Sequence, residues 1–226
     1  MIVLASIFRN SYSYLERFAG QVDALQNALD AEIHLILGEG DSEDGTQQFL
    51  PYQLQKKCLS FEIVTVNHGG PVFGSVDNAQ RWRQISQVCN AVLERIPFDA
   101  DKVIYVESDL IWKPETMVKL LKHTDQYPAI AAMNFDSKDG HCYDCWGHRS
   151  GGTQFSPHPP YHKFLTEKPG SVITMDSAGS CIAMRGEVAR NCRYDPPEMG
   201  MVGFGLDIWK KGYSLHLDPT CHVFHP

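Results

Sequence analysis

The chain has 226 residues, 27 acidic and 20 basic, giving a formal net charge of −7; 43% are hydrophobic and 21% charged. One globular domain with a sizeable core accounts for these values, since two cores would each be small. The acidic balance excludes attraction to nucleic acid or anionic lipid through bulk charge, and no apolar run is long enough to span a membrane. Seven cysteines scattered along the chain are an odd count for a disulfide framework, and the apolar stretch from Met1 to Phe8 is too short for a signal peptide. Both features point to reduced thiols in a cytoplasmic protein.

In chain order, Ile2 to Phe8 reads as a buried strand, followed by a helix from near Ser13 whose apolar face is Leu15, Phe18, Val22, Leu25 and Leu29. Ile33 to Leu37 is a second strand. It runs into the glycine-punctuated acidic turn 38–46, and a short helical stretch is expected before Pro51. A third strand spans Phe61 to Val66. A helix from about Asp77 to Arg95 carries Ala79, Trp82, Ile85, Val88, Cys89 and Val92 on one face, and Val103 to Val106 is a fourth strand. This alternation predicts an α/β fold, a mostly parallel central sheet with helices on both faces. Beyond it we expect a helix from Pro114 to Lys122, a strand from Ala129 to Met133 and long loops from Asn134 to Gly170. Strands Val172 to Met175 and Cys181 to Met184, a short helix from Phe204 to Lys211, a strand from Ser214 to Leu217 and an irregular tail complete the chain.

The fourth strand ends on Glu107-Ser108-Asp109. Ligands of open α/β sheets bind beyond the carboxyl ends of strands, and two carboxylates there suit a hard divalent ion that neutralises a departing diphosphate. A helix-capping or solvated role is the plain alternative.

In that setting Glu107-Ser108-Asp109 resembles the D-x-D signature of the GT-A glycosyltransferases, with Glu in the first position. The resemblance implies a single GT-A (Rossmann-like) domain over residues 1–226, with 1–110 as its nucleotide-binding half and 111–226 as its sugar- and acceptor-binding half. Asp109 would bind the metal, and Glu107 would bind the donor ribose or reach the metal through water, with Ser108 between them at the donor. The turn from Glu39 to Thr46 resembles the D-D-G-S-x-D-G-T turn of the same fold, making Glu39 and Asp41 candidates for contacts to the nucleoside, while Ser42 or Asp44 serves as a cap. Cys142-Tyr143-Asp144-Cys145-Trp146-Gly147-His148-Arg149 is similar to the F-Y-D-x-W-x-x-R segment of fungal Golgi and capsule-associated mannosyltransferases. Asp144 would then face the donor sugar or the acceptor, with Tyr143 and Trp146 as loop anchors. Asp176 to Cys181 resembles a small-residue segment of those enzymes, which adds Ser177 and Gly179 to the donor site. The terminal His222-Val223-Phe224-His225-Pro226 resembles the place where many members carry a third metal ligand; His225 fits better than His222. Imidazole suits Mn(2+) better than Mg(2+).

An inverting transfer needs a carboxylate base near the acceptor hydroxyl. Asp207 is the nearest candidate and Glu198 the second; the adjacent Glu-Asp pair of many inverting members is missing, so retention and inversion both stay open. Arg9, Arg81 and Arg83 are the cations placed to meet the diphosphate or base. His141, Cys142, Cys145 and His148 compose a competing zinc set that lacks a second well-spaced pair. The expected activity is metal-dependent transfer from a UDP- or GDP-sugar to a hydroxyl acceptor, with nucleic acid expected only as an acceptor substrate. A sugar nucleotidylyltransferase, against which the absent glycine-rich loop after the first strand counts, and a non-catalytic nucleotide-sugar-binding module are the rivals.

Overall fold

The computed structural model describes residues 1–74, 78–195 and 200–226. The first half follows the expected alternation: β1 (Ile2–Phe8), α1 (Leu15–Leu29), β2 (Ile33–Glu39), α2 (Thr46–Lys56), β3 (Ser60–Thr65), α3 (Ala79–Leu93) and β4 (Lys102–Val106). Then come α4 (Pro114–His123), β5 (Ala129–Asp136), a small hairpin of β6 (Arg149–Ser150) and β7 (Thr153–Gln154), α5 (Lys163–Glu167), β8 (Ile173–Met175), β9 (Cys181–Arg185), α6 (Gly186–Asn191), α7 (Gly200–Lys210) and β10 (Leu215–His225).

Eight strands form one sheet in the order β3-β2-β1-β4-β9-β5-β10-β8. Six run in one direction, and β8 and β9 run against it. The α/β fold with a mostly parallel sheet is therefore present. Side chains alternate across the strands, so each face builds its own core. Val3 and Ala5 of β1 pack with α3, α6 and α7, while Leu4 and Phe8 pack with α1, α2 and α4.

Several elements depart from expectation; the stretch expected as loops from Asn134 to Gly170 carries the end of β5, the β6–β7 hairpin and the short α5. Helix α2 continues through Pro51, although proline cannot donate its hydrogen bond, because Leu50 and Leu54 on the next turn are both buried. Helix α6 has only six residues and was too short to show a period. Helix α7 starts at Gly200 rather than Phe204. Its glycines have low helix propensity but sit where a Cβ would strike a neighbour: at Gly203 it would lie 2.3 Å from the Asp195 carbonyl oxygen, and at Gly205 2.4 Å from that of Asp176. The tail is the second half of β10, which shifts register between Asp218 and His222 and then pairs with β5 through His225.

The topology decides where a ligand can bind. Successive strands run β1, β2, β3 in one direction across the sheet, while β4 lies on the other side of β1. A crevice opens at the carboxyl ends where the order reverses. Because β9 is antiparallel to β4 and β5, the loop entering it arrives at the same rim, as do the carboxyl ends of β5 and β10.

Candidate active site

Glu107, Ser108 and Asp109 leave β4 at this rim. The Glu107 backbone N–H donates to the Ser180 carbonyl (3.0 Å), tying the acidic segment to the entrance of β9. Two hydrogen bonds between Ile111 and Phe224, 2.7 and 2.9 Å long, bring the end of β10 alongside. His225 Nε2 consequently lies 3.0 Å from Asp109 Oδ2, and Tyr143 stacks on the imidazole with centroids 3.7 Å apart and planes 9° from parallel. Asp109 Oδ1 is buried and finds no hydrogen-bond partner among the described residues.

Asp144 is buried behind this pair. Its Oδ2 accepts from Asn134 Nδ2 at 2.8 Å and closely from Ser180 Oγ, which is also 3.3 Å from Glu107 Oε2. Burial, reinforced by the charges of Asp144 and Asp109, pushes the Glu107 carboxyl well above the usual range. Three carboxylates and one imidazole thus converge, with Arg81 offsetting part of the charge on Glu107.

Two cavities meet here. One, of about 310 Å³, runs from the acids past Arg9, Ser11 and Arg81 to Gly40 and His68. The other, of about 710 Å³, extends from the same acids past Tyr143, Asp144 and Trp146 to Tyr194 and Met201. Arg9, Arg81, Glu107 and Asp109 line both. Arg9 donates through Nη2 to the Gly70 carbonyl (3.1 Å), and its buried Nε has no partner among the described residues. Ser108, also buried, faces Ser11 across 3.3 Å.

Glu39 is buried at the end of β2, and burial raises its pKa. Asp41 has backbone φ of 56° and accepts from the His68 and Gly69 N–H groups, which hold its carboxyl below the ordinary range. The anticipated side-chain cap is not formed: the N-cap of α2 is Gly45, without a side-chain cap bond, while Ser42 Oγ accepts from Asn10 N–H and Asp44 accepts from the Thr46 N–H two residues on and from Tyr12 N–H.

Other candidates lie apart. Arg83 is exposed and donates to the Ala79 carbonyl of its own helix. His222 falls on the opposite face of β10 from His225, its Nε2 2.8 Å from the Pro219 carbonyl and its ring against Phe135. Asp207 sits well inside α7 rather than in a first turn, and accepts from Arg193 N–H at 2.8 Å; Glu198 lies outside the described residues. Ser177 donates to the Gly147 carbonyl and so braces the Asp144 turn, and Gly179 leaves room for Met201 and the Asp144 carboxylate. The zinc set does not assemble. Cys142 and Cys145 are buried thiols with raised pKa, that of Cys142 pushed up to about 12, while His148 faces backbone carbonyls and His141 contacts Asp139. Sequence reasoning missed Asn134, which nothing in its local sequence marks, and, although Ser180 lies in the Asp176–Cys181 segment, it missed that Ser180 bonds Asp144; the fold brings both to that carboxylate.

The sequence matches no protein-family model and no curated protein. Solved structures do resemble this one. S. aureus TarS 1-349 superposes with TM-score 0.61 at 13% identity, over 99% of this chain and 59% of that one. The mannosyltransferase PcManGT from Pyrobaculum calidifontis, solved with GDP-Man and Mn2+, gives TM-score 0.61 at 12% identity over 99% of this chain and 56% of that one. This is the GT-A glycosyltransferase fold. Glucosyl-3-phosphoglycerate synthase from Mycobacterium tuberculosis, in complex with Mg2+ and UDP, shares it with TM-score 0.57 at 13% identity over the full length of this chain and 71% of its own. The chain thus spans a little over half the length of TarS and PcManGT. Among the described residues no helix is long and apolar enough to cross a membrane.

Proposed function

We propose that this chain is a nucleotide-sugar-dependent glycosyltransferase that requires a divalent ion and transfers a sugar to a hydroxyl acceptor. The observation that carries the reading is the Asp109–His225 pair at the strand-order reversal, with Asp109 Oδ1 buried and open to a further partner. A carboxylate and an imidazole held 3.0 Å apart, with Glu107 beside them, fit a divalent cation, and the nitrogen donor favours Mn(2+) over Mg(2+). When bound, such an ion acts as a Lewis acid on the diphosphate. Superposable structures holding UDP-GlcNAc, UDP with Mg2+ and GDP-Man with Mn2+ support the same donor class.

The chain's own residues divide the work. The smaller cavity takes the nucleoside, with Glu39 and Asp41 outside its lining but flanking Gly40, which belongs to it, while Arg9 and Arg81, on the wall common to both cavities, pair with diphosphate oxygens. The larger cavity takes the sugar and acceptor. Asp144, oriented by Asn134 and Ser180, is the carboxylate placed to meet a hydroxyl there, a position Asp207 does not share.

The test is a screen of UDP- and GDP-sugars for release of nucleoside diphosphate, with and without Mn(2+). The wild type should turn over only with metal, and Asp109→Ala should lose about 100-fold or more while melting as a folded protein. An Asp109→Ala protein with unchanged metal-dependent turnover would overturn the assignment, and release of pyrophosphate would indicate nucleotidyl transfer.

A further inference from the structure

Beyond the wall it shares with the nucleoside cavity, the larger cavity is built of aromatic and carboxylate groups. Tyr143, Asp144, Trp146, Tyr194 and Met201 line it, and among its described lining residues no Lys or Arg occurs besides Arg9 and Arg81. Residues 75–77 and 196–199 contain neither type in the sequence. In the proposed reading both arginines, which line the two cavities alike, pair with diphosphate oxygens, so with donor bound no fixed cation is left free for an acceptor.

Trp146 is the second observation. Its indole is 49% exposed, yet Cys145 and Gly147 on either side are buried. The turn is closed by Gly147 and His148 N–H groups donating to the Asp144 carbonyl at 2.9 and 3.0 Å, and a Cβ on Gly147 would touch Met201 Sδ at 3.0 Å. The backbone is therefore fixed while the ring stands out at the cavity mouth, one turn from the Asp144 carboxylate. An apolar flat surface beside hydrogen-bond acceptors matches a pyranose, which offers one C–H face and a rim of hydroxyl donors. With the bound ion and both arginines engaged by the donor diphosphate, phosphorylated acceptors and nucleic acid would bring further negative charge towards Asp144 without a free counter-charge.

Building on the proposed transferase activity, we infer that the acceptor is a neutral saccharide seated on the Trp146 indole, its reacting hydroxyl directed to Asp144. The test uses saturation-transfer NMR, which needs no turnover, on the full chain with and without UDP or GDP and Mn(2+). The probes are methyl glycosides and disaccharides of neutral hexoses, hexose 6-phosphates, and a hydroxymethylated DNA duplex. Neutral saccharides should receive saturation, and Trp146→Ala should weaken their binding about tenfold while Trp146→Phe retains most of it. Nucleoside diphosphate affinity, read separately by calorimetry, should stay within about twofold in both variants. Preferential binding of hexose phosphate or DNA, no saturation of any neutral glycoside, or equal binding by Trp146→Ala would each overturn the inference. Loss of nucleotide binding in the wild type would instead count against the transferase reading, and leaves the glycoside result readable.

Discussion

At the scale of single residues, two aspartates on the second half of the chain exchange places between sequence and structure. Asp207 stands nearest the position of a usual base, but its carboxylate is occupied by the Arg193 N–H. Asp207→Ala should cost about 1 kcal/mol in chemical denaturation and leave kcat unchanged. Asp144 lines the acceptor cavity and is fixed by Asn134 and Ser180. Asp144→Asn should lower kcat by about 100-fold with nucleotide affinity retained in calorimetry; a purely structural role would lower the melting temperature and spare kcat. The resemblance named Asp144 from a local motif. Its partnership with Asn134 and Ser180 was illegible, because those residues are distant from each other in sequence and meet only where β5 ends and β9 begins at one rim.

Among the elements, those with a clear period and a propensity that agrees with it were readable: β1, α1, β2, α3, β4 and α4 fall within a few residues of expectation. The failures share a cause, namely tertiary contact overriding local preference. Pro51 is carried inside α2 by the burial of Leu50 and Leu54. The start of α7 was hidden by glycines that exist for close approach, so Gly205→Ala should destabilise the protein by about 1–3 kcal/mol, measurable from the urea midpoint. In β10 the register shift conceals the continuing strand. Asp218, buried at that shift, contacts Lys119, His123 and Thr220. Burial alone would raise its pKa, but the bonds from Lys119 and Thr220 outweigh this and hold the carboxyl far below the usual range. A depressed carboxylate contributes stability above its unfolded pKa and loses it as pH falls toward the folded value. Asp218→Asn should therefore cost about 2–3 kcal/mol at pH 7, less than a fully buried pair because Lys119 is half exposed. The difference from wild type should shrink progressively below about pH 4.

For the whole molecule, the reversal of strand order between β1 and β4 and the return of β10 to the same edge turn a chain with little sequence likeness to its structural neighbours into one crevice with acids at its centre. The Glu107-Ser108-Asp109 segment at the end of an apolar strand was legible from sequence, and so was a terminal histidine. What sequence could not supply was the Ile111–Phe224 pairing that sets His225, and not His222, beside Asp109. The measurement that bears most directly on this arrangement is pulsed EPR of the full chain with one equivalent of Mn(2+) and UDP or GDP. The account predicts a ¹⁴N modulation from a directly bound imidazole that disappears in His225→Gln and persists in His222→Gln. Bound Mn(2+) without nitrogen coupling, or coupling that survives in His225→Gln, would contradict it.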